Sequence, residues 1–172
     1  GEIVDFELTR QMEVEEFKER LAGQLPSDIP VYRVEQVDLA APSATQSLER
    51  AQYLITVARV QSLTPLQDAS DRQQWKNWVE AVKSCDVIEW EQTTKSGKKK
   101  QVNLRDRLFE LELVEVKEDA SSEPAVVRYI GSCRNDGTLL RPEHLVYMLE
   151  QVNQLEFQLL HAHRSEMILA ET

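Results

Sequence analysis

Apolar residues recur along this chain with two different periods. At Val14, Phe17, Leu21 and Leu25 they return every three or four positions, the spacing that lines one face of a helix, and the run ends near Gly23 to Pro26. All four read as core residues. Leu66 to Lys83 carries the strongest stripe of this kind, Trp75, Trp78, Val79 and Val82, with Arg72, Lys76, Glu80 and Lys83 on the other faces. A further helix opens at Pro142, a residue suited to a first helical turn, and presents Leu145, Met148, Leu149 and Val152.

Elsewhere the pattern is that of strands. Ile3 to Leu8 reads as a first strand, Ile29 to Leu39 as a second strand or strand pair, and Ala40 to Ala44 as a connection. Gln52 to Val60 is apolar on both faces, which predicts a central position in a sheet. Val87 to Thr93 and Lys100 to Leu104 read as a hairpin around Gly97, with Lys95 to Lys98 as its turn, followed by a short turn or helix from Asn103 to Leu108. Leu111 to Val116 and Ala125 to Ile130 form an antiparallel pair across the polar turn Lys117 to Glu123. Gly131 to Gly137 is a loop holding the turn signal Asn135-Asp136-Gly137. Leu155 to Leu169 fits either period, and the reading here leans to a β element. This order predicts one α+β domain over residues 1–172. It has an antiparallel-rich mixed sheet with helices mostly on one face, and a ferredoxin-like flavour.

Charge changes the picture locally. The 172 residues carry a formal net charge of -10, from 30 acidic against 20 basic residues, which opposes general attraction to nucleic acid or an anionic membrane. Against that background Lys95, Lys98, Lys99, Lys100, Arg105 and Arg107 lie close together, interrupted by the single acid Asp106. Such a hairpin suits phosphates, with lysines as point charges and arginines as forks. It also suits an acidic protein surface and, before either, a solubilising tip. No aromatic residue lies from Glu91 to Leu108, so the patch has no stacking platform of its own, although Trp90 sits just outside it. Trp75 and Trp78 lie on an apolar stripe and are better read as core than as a base-stacking pair.

Candidate chemistry is sparse. Cys85 and Cys133 have no CxxC spacing, which fits a reduced compartment and small core or loop residues rather than nucleophiles. His161 and His163 share one side of a strand but lack the further ligands a metal needs. No phosphate-cradling glycine loop or nucleophile elbow is present, and 30 acidic residues make every carboxylate pair equally eligible for acid-base work. Arg134, Arg141 and Arg164 form a second basic group, in which Arg141 reads first as a structural anchor to a neighbouring loop and second as an anion contact beside the first free amides of a helix. An enzymatic reading gathers Arg105, Arg141, His163 and Glu166 around a small anion and requires that they share one concavity. No apolar run approaches the roughly 20 residues of a membrane-spanning helix, so a cytoplasmic location without membrane contact is expected.

Four stretches carry a family resemblance: Glu2-Ile3-Val4-Asp5-Phe6-Glu7-Leu8, Gly97 to Arg105, Arg141-Pro142-Glu143, and His163-Arg164-Ser165-Glu166. In these the chain resembles the C-terminal part of the radical-SAM-linked DUF2344 family of unknown function. The resemblance implies a module fused behind, or encoded beside, a radical SAM protein, sometimes with a cobalamin-binding region. Family members begin earlier, with a basic and aromatic segment, so the chain reads as lacking an N-terminal portion. The family aspartate after the lysines is Asn103 here, which argues against a role needing a carboxylate but preserves a backbone cap. The three-cysteine cluster motif of radical SAM enzymes is absent from this chain. The resemblance therefore implies an accessory or substrate-recognition module with no cofactor of its own, the iron-sulfur cluster and S-adenosylmethionine belonging to a fused or partner domain. Its expected partners are that radical SAM domain, in cis or in trans, and an RNA or protein substrate. Lys98, Lys99, Lys100, Arg105, Arg141, His163 and Arg164 are the expected ligand or phosphate contacts.

Overall fold

In the computed structural model, which describes residues 2–60, 71–93, 97–117, 124–134 and 136–170, contacts gather into two units. One is Val4–Ala44; the other is Thr45–Thr172 with Gly1–Ile3.

The Val4–Ala44 unit is built on α1 (Val14–Ala22), whose first turn holds Glu15 and Glu16 and whose last holds Arg20, each sign where the helix dipole favours it. Gly23 closes the helix, its N–H donating to Glu19 O at 3.0 Å. Phe6 meets Phe17 edge-on, ring centroids 5.4 Å apart, and Ala44 N–H donates to Asp5 Oδ2 at 2.9 Å. The strands expected at Ile3–Leu8 and Ile29–Leu39 do not form; both segments are irregular. Alternation prepares a segment for a ladder, but a strand is stable only against a partner, and the described residues of this unit contain no strand. Val14, Phe17, Leu21 and Leu25 are consequently half-buried and not core, because within their unit α1 has only irregular chain to pack on.

In the second unit, α2 (Ala44–Ser47) leads into β1 (Leu48–Arg59), followed by α3 (Asp71–Ser84) and the hairpin β2 (Glu89–Thr93) and β3 (Lys99–Asn103). A 3₁₀ turn at Arg105–Arg107 then precedes β4 (Leu108–Val116), β5 (Ala125–Ser132), α4 (Pro142–Asn153) and β6 (Phe157–Leu169). The main sheet has the order β4-β5-β1-β6, every neighbouring pair antiparallel, so β1 is interior as its two-sided apolar pattern predicts. With α3 and α4 as the connections, β1, β4, β5 and β6 make a β-α-β-β-α-β unit of ferredoxin-like form. The β2-β3 hairpin is an insertion between α3 and β4. Residues Leu66 to Ser70 of the expected helix, Lys95, the acidic turn from 118 to 123, and Asn135 lie outside the described residues.

One face of the sheet makes the core. Register sets Ile55 opposite Val127 and Val57 opposite Ala125, and both rows are buried with Trp75, Trp78, Val79 and Val82 of α3 and Leu145, Met148 and Leu149 of α4. Trp75, Trp78 and Phe157 close a ring cluster with centroids 5.1 to 5.5 Å apart, settling the tryptophan pair as packing. Such contacts add about 0.5–1.5 kcal/mol per pair beyond area burial. On the other face, Glu112, Arg128, Leu54 and His163 form one row across the four strands.

Candidate nucleic-acid interface

The basic hairpin is held by its sequence at both ends. Gly97 adopts φ 80°, a conformation that side chains disfavour, and lets the chain reverse before β3. At the base, Asn103 Oδ1 accepts from Ile88 N at 2.9 Å and Arg105 N at 3.1 Å, while Nδ2 donates to Asp86 O and Asp106 Oδ1. The backbone cap expected for Asn103 is thus its role. Arg105 donates to Leu108 O at 2.7 Å and, at 3.4 Å, to Lys83 O at the end of α3. Its guanidinium ties the hairpin base to the helix.

The hairpin rests on α4. Trp90 meets Tyr147 of α4 edge-on at 4.6 Å and His144 at 5.3 Å, and Tyr147 Oη donates to Glu89 O at 3.1 Å. These half-buried rings supply aromatic surface beside the lysines. Sequence reasoning missed it because Tyr147 and His144 lie more than 50 positions from Trp90, and only α4 packing brings them there. The buried Arg107 donates through Nη2 to Gln92 Oε1 at 2.9 Å and through Nη1 to Leu139 O at 3.5 Å. Gln92 Nε2 in turn donates to Gly137 O at 3.4 Å.

Strand pairing divides the lysines. Lys99 makes an ion pair with Glu91 at 2.7 Å. Lys100 lies directly across the ladder from Gln92, which puts its side chain on the Gln92 and Arg107 side of the hairpin. Lys98, Lys99 and Lys100 are all exposed.

Arg141 occupies the N-cap of α4. Its N–H donates to His144 Nδ1 at 3.2 Å and its carbonyl accepts from His144 N at 3.0 Å, a reciprocal cap in which a neutral imidazole takes the place of a carboxylate. Burial, reinforced by Arg107 and Arg141, holds His144 below its ordinary range. Burial also lowers Arg107.

The remaining predicted residues separate. His161 and His163 lie opposite Thr56 and Leu54 on the open face of β6, and a bulge brings Glu166, opposite Gln52, to the same face. Arg164 lies opposite Tyr53 on the other face, close enough to Tyr53 and Cys133 to act on both electrostatically, and pairs with Glu2. Burial pushes the Cys133 thiol up, which keeps it protonated. Arg134 pairs with Glu49. Arg105 contacts the start of β4 and His163 is on β6, the two sheet edges, three strand spacings or about 14 Å apart. The structure therefore brings Arg141 to the hairpin docking surface but does not bring Arg105 and His163 together. Among the described residues there is no metal-holding cluster of histidine, cysteine and carboxylate side chains, and no helix is long and apolar enough to cross a membrane.

The model of a family described as "Uncharacterized protein conserved in bacteria (DUF2344)" matches residues 1–142. No curated protein matches the chain. Among solved structures, a chain of the "Crystal Structure of a Cbf5-Nop10-Gar1 Complex" is similar with a TM-score of 0.43 and 9% identity, over 72% of this chain and 32% of that one.

Proposed function

This chain belongs to the DUF2344 family, and from that premise we propose that it is a non-catalytic recognition module which holds RNA for a radical SAM enzyme in cis or in trans. The carrying observation is the inserted hairpin, which carries exposed Lys98, Lys99 and Lys100 on one arm and, on the other, Trp90, whose ring meets Tyr147 and His144. Lysines supply the salt-dependent attraction to phosphates and rings supply surface for bases, a combination that an acidic peptide would not require. Arg105 is engaged by backbone carbonyls, and Arg128 by Glu110 and Glu112, each at 3.0 Å. Radical SAM chemistry, with its cluster and S-adenosylmethionine, belongs in this reading to the neighbouring cytoplasmic domain.

The test is co-purification of the full-length parent protein with and without this module, with bound RNA and bound protein analysed separately. Domain-dependent recovery of RNA, lost when Lys98, Lys99 and Lys100 are replaced by glutamate, is the expected result. Domain-dependent recovery of protein alone would make the module an assembly element instead.

A further inference from the structure

The three hairpin lysines look equivalent in sequence, but the ladder gives them different surroundings. Lys99 faces Glu91. Lys100 faces the side on which Gln92 fixes Arg107.

Arg107 is only 7% exposed, yet no carboxylate of the described residues lies within ion-pairing distance of it. Removing a cation from water is costly unless an anion and hydrogen-bond acceptors replace the solvent. Its two hydrogen bonds, one of them long, engage only part of a guanidinium with five N–H donors. Asp136 and Asp106 are the acids close enough to act on it electrostatically, and Asp136 is already engaged by Thr138, whose N–H donates to it at 2.9 Å. Arg141, at the N-cap of α4, and Arg107 both act on His144. The ladder thus sets Lys100 of β3 on the side of Gln92 and Arg107, and α4 starts just after Arg141, whose backbone is bonded to the His144 ring that meets Trp90. Gln92 is a positioning residue, accepting from Arg107 and donating to Gly137 O.

We propose that Lys100, Arg107 and Arg141 form a subsite for one phosphate group of a nucleic-acid backbone, with Arg107 as its buried fork and Lys100 as its solvent-facing charge. The inference rests on the RNA-recognition reading and narrows it. The chain would be oriented by a single phosphate locked beside Trp90, with Lys98 and Lys99 contributing attraction only. Arg107 presents planar paired donors, the geometry that matches phosphate oxygens two at a time.

The full chain contains 3 histidines, His144, His161 and His163, so the imidazole C–H signals in an NMR titration give a local reporter and two internal controls. The probe is inorganic sulfate, whose charge stays constant across the pH range used. The expected result is a saturable shift of the His144 signal with His161 and His163 unmoved. Apparent affinity should fall at least fivefold in Lys100→Gln and in Arg141→Gln, and less than twofold in Lys99→Gln. Using both exposed residues keeps the test independent of whether an Arg107→Gln chain folds. Equal small shifts of all three histidines, or a Lys99→Gln loss as large as that of Lys100→Gln, would overturn the subsite. RNA retention by the parent protein with a silent His144 would refute the subsite and leave the recognition reading standing. A sulfate response at His144 without RNA retention would support the subsite and refute RNA as its ligand.

Discussion

Trp90 of β2 and Tyr147 of α4 meet edge-on with ring centroids 4.6 Å apart, and the Tyr147 hydroxyl reaches past the contact to donate to Glu89 O. Through this pair the hairpin takes its orientation from a core helix. Tyr147→Phe keeps the ring contact and removes the hydrogen bond. It should lower stability by about 0.5–1.5 kcal/mol, read from denaturant unfolding, and should speed amide exchange in β2 and β3 more than in β1 and β5.

Asn103 offers a sharper separation of roles. Asn103→Ala strips acceptors from Ile88 N and Arg105 N together with two donated bonds, and should cost about 1–3 kcal/mol. Asn103→Asp keeps both acceptors but sets a second carboxylate against Asp106, so its loss should shrink at acidic pH. A pH-independent loss would contradict that account.

Two glycines should respond differently to alanine. At Gly131 a Cβ would lie 2.9 Å from Leu140 Cδ2 and 3.1 Å from Tyr129 Cε2, inside a packed core. Gly131→Ala should cost about 1–3 kcal/mol by overpacking. At Gly97 nothing lies within 4 Å, but φ is +80°. Gly97→Ala should therefore cost about 1–2 kcal/mol through backbone strain, confined to the hairpin and visible as faster exchange there with little change in the main sheet.

His144 makes stability depend on pH. Its ordinary value is 6.5 and folding lowers it, so between the folded value and 6.5 the unfolded chain binds the extra proton. The stabilisation from neutral His144 is complete above about 6.5 and declines as pH falls toward the folded value, levelling off below it. His144→Gln retains an acceptor suited to the third helical position. In thermal unfolding across pH 5 to 8, about the range in which histidine titrates, this variant should show a flatter profile than the parent chain.

Much of the fold was legible because pattern and local chemistry agreed. The two-sided apolar run of β1 marks an interior strand, Gly97 marks the hairpin, and Pro142 with Leu145, Met148 and Leu149 marks α4. Ile3–Leu8 and Ile29–Leu39 misled because alternation describes readiness to pair and carries no information about a partner. The site was half legible. The lysines were visible as a charge anomaly, but the ladder that separates Lys99 from Lys100 is a tertiary fact. So are the approach of Tyr147 and His144 to Trp90 and the bulge that turns Glu166 toward His163. Neighbours in sequence also parted: His163 and Arg164 face opposite sides of the sheet.

The most direct test of RNA recognition is the salt dependence of binding to a labelled single-stranded RNA, followed by anisotropy for the full chain and for a Lys98→Glu, Lys99→Glu, Lys100→Glu variant. The account predicts that the logarithm of affinity falls linearly with the logarithm of salt concentration, that the slope weakens by about 0.7 for each phosphate contact removed, and that the variant binds at least tenfold more weakly. Binding of equal strength and equal salt slope in both proteins would contradict it.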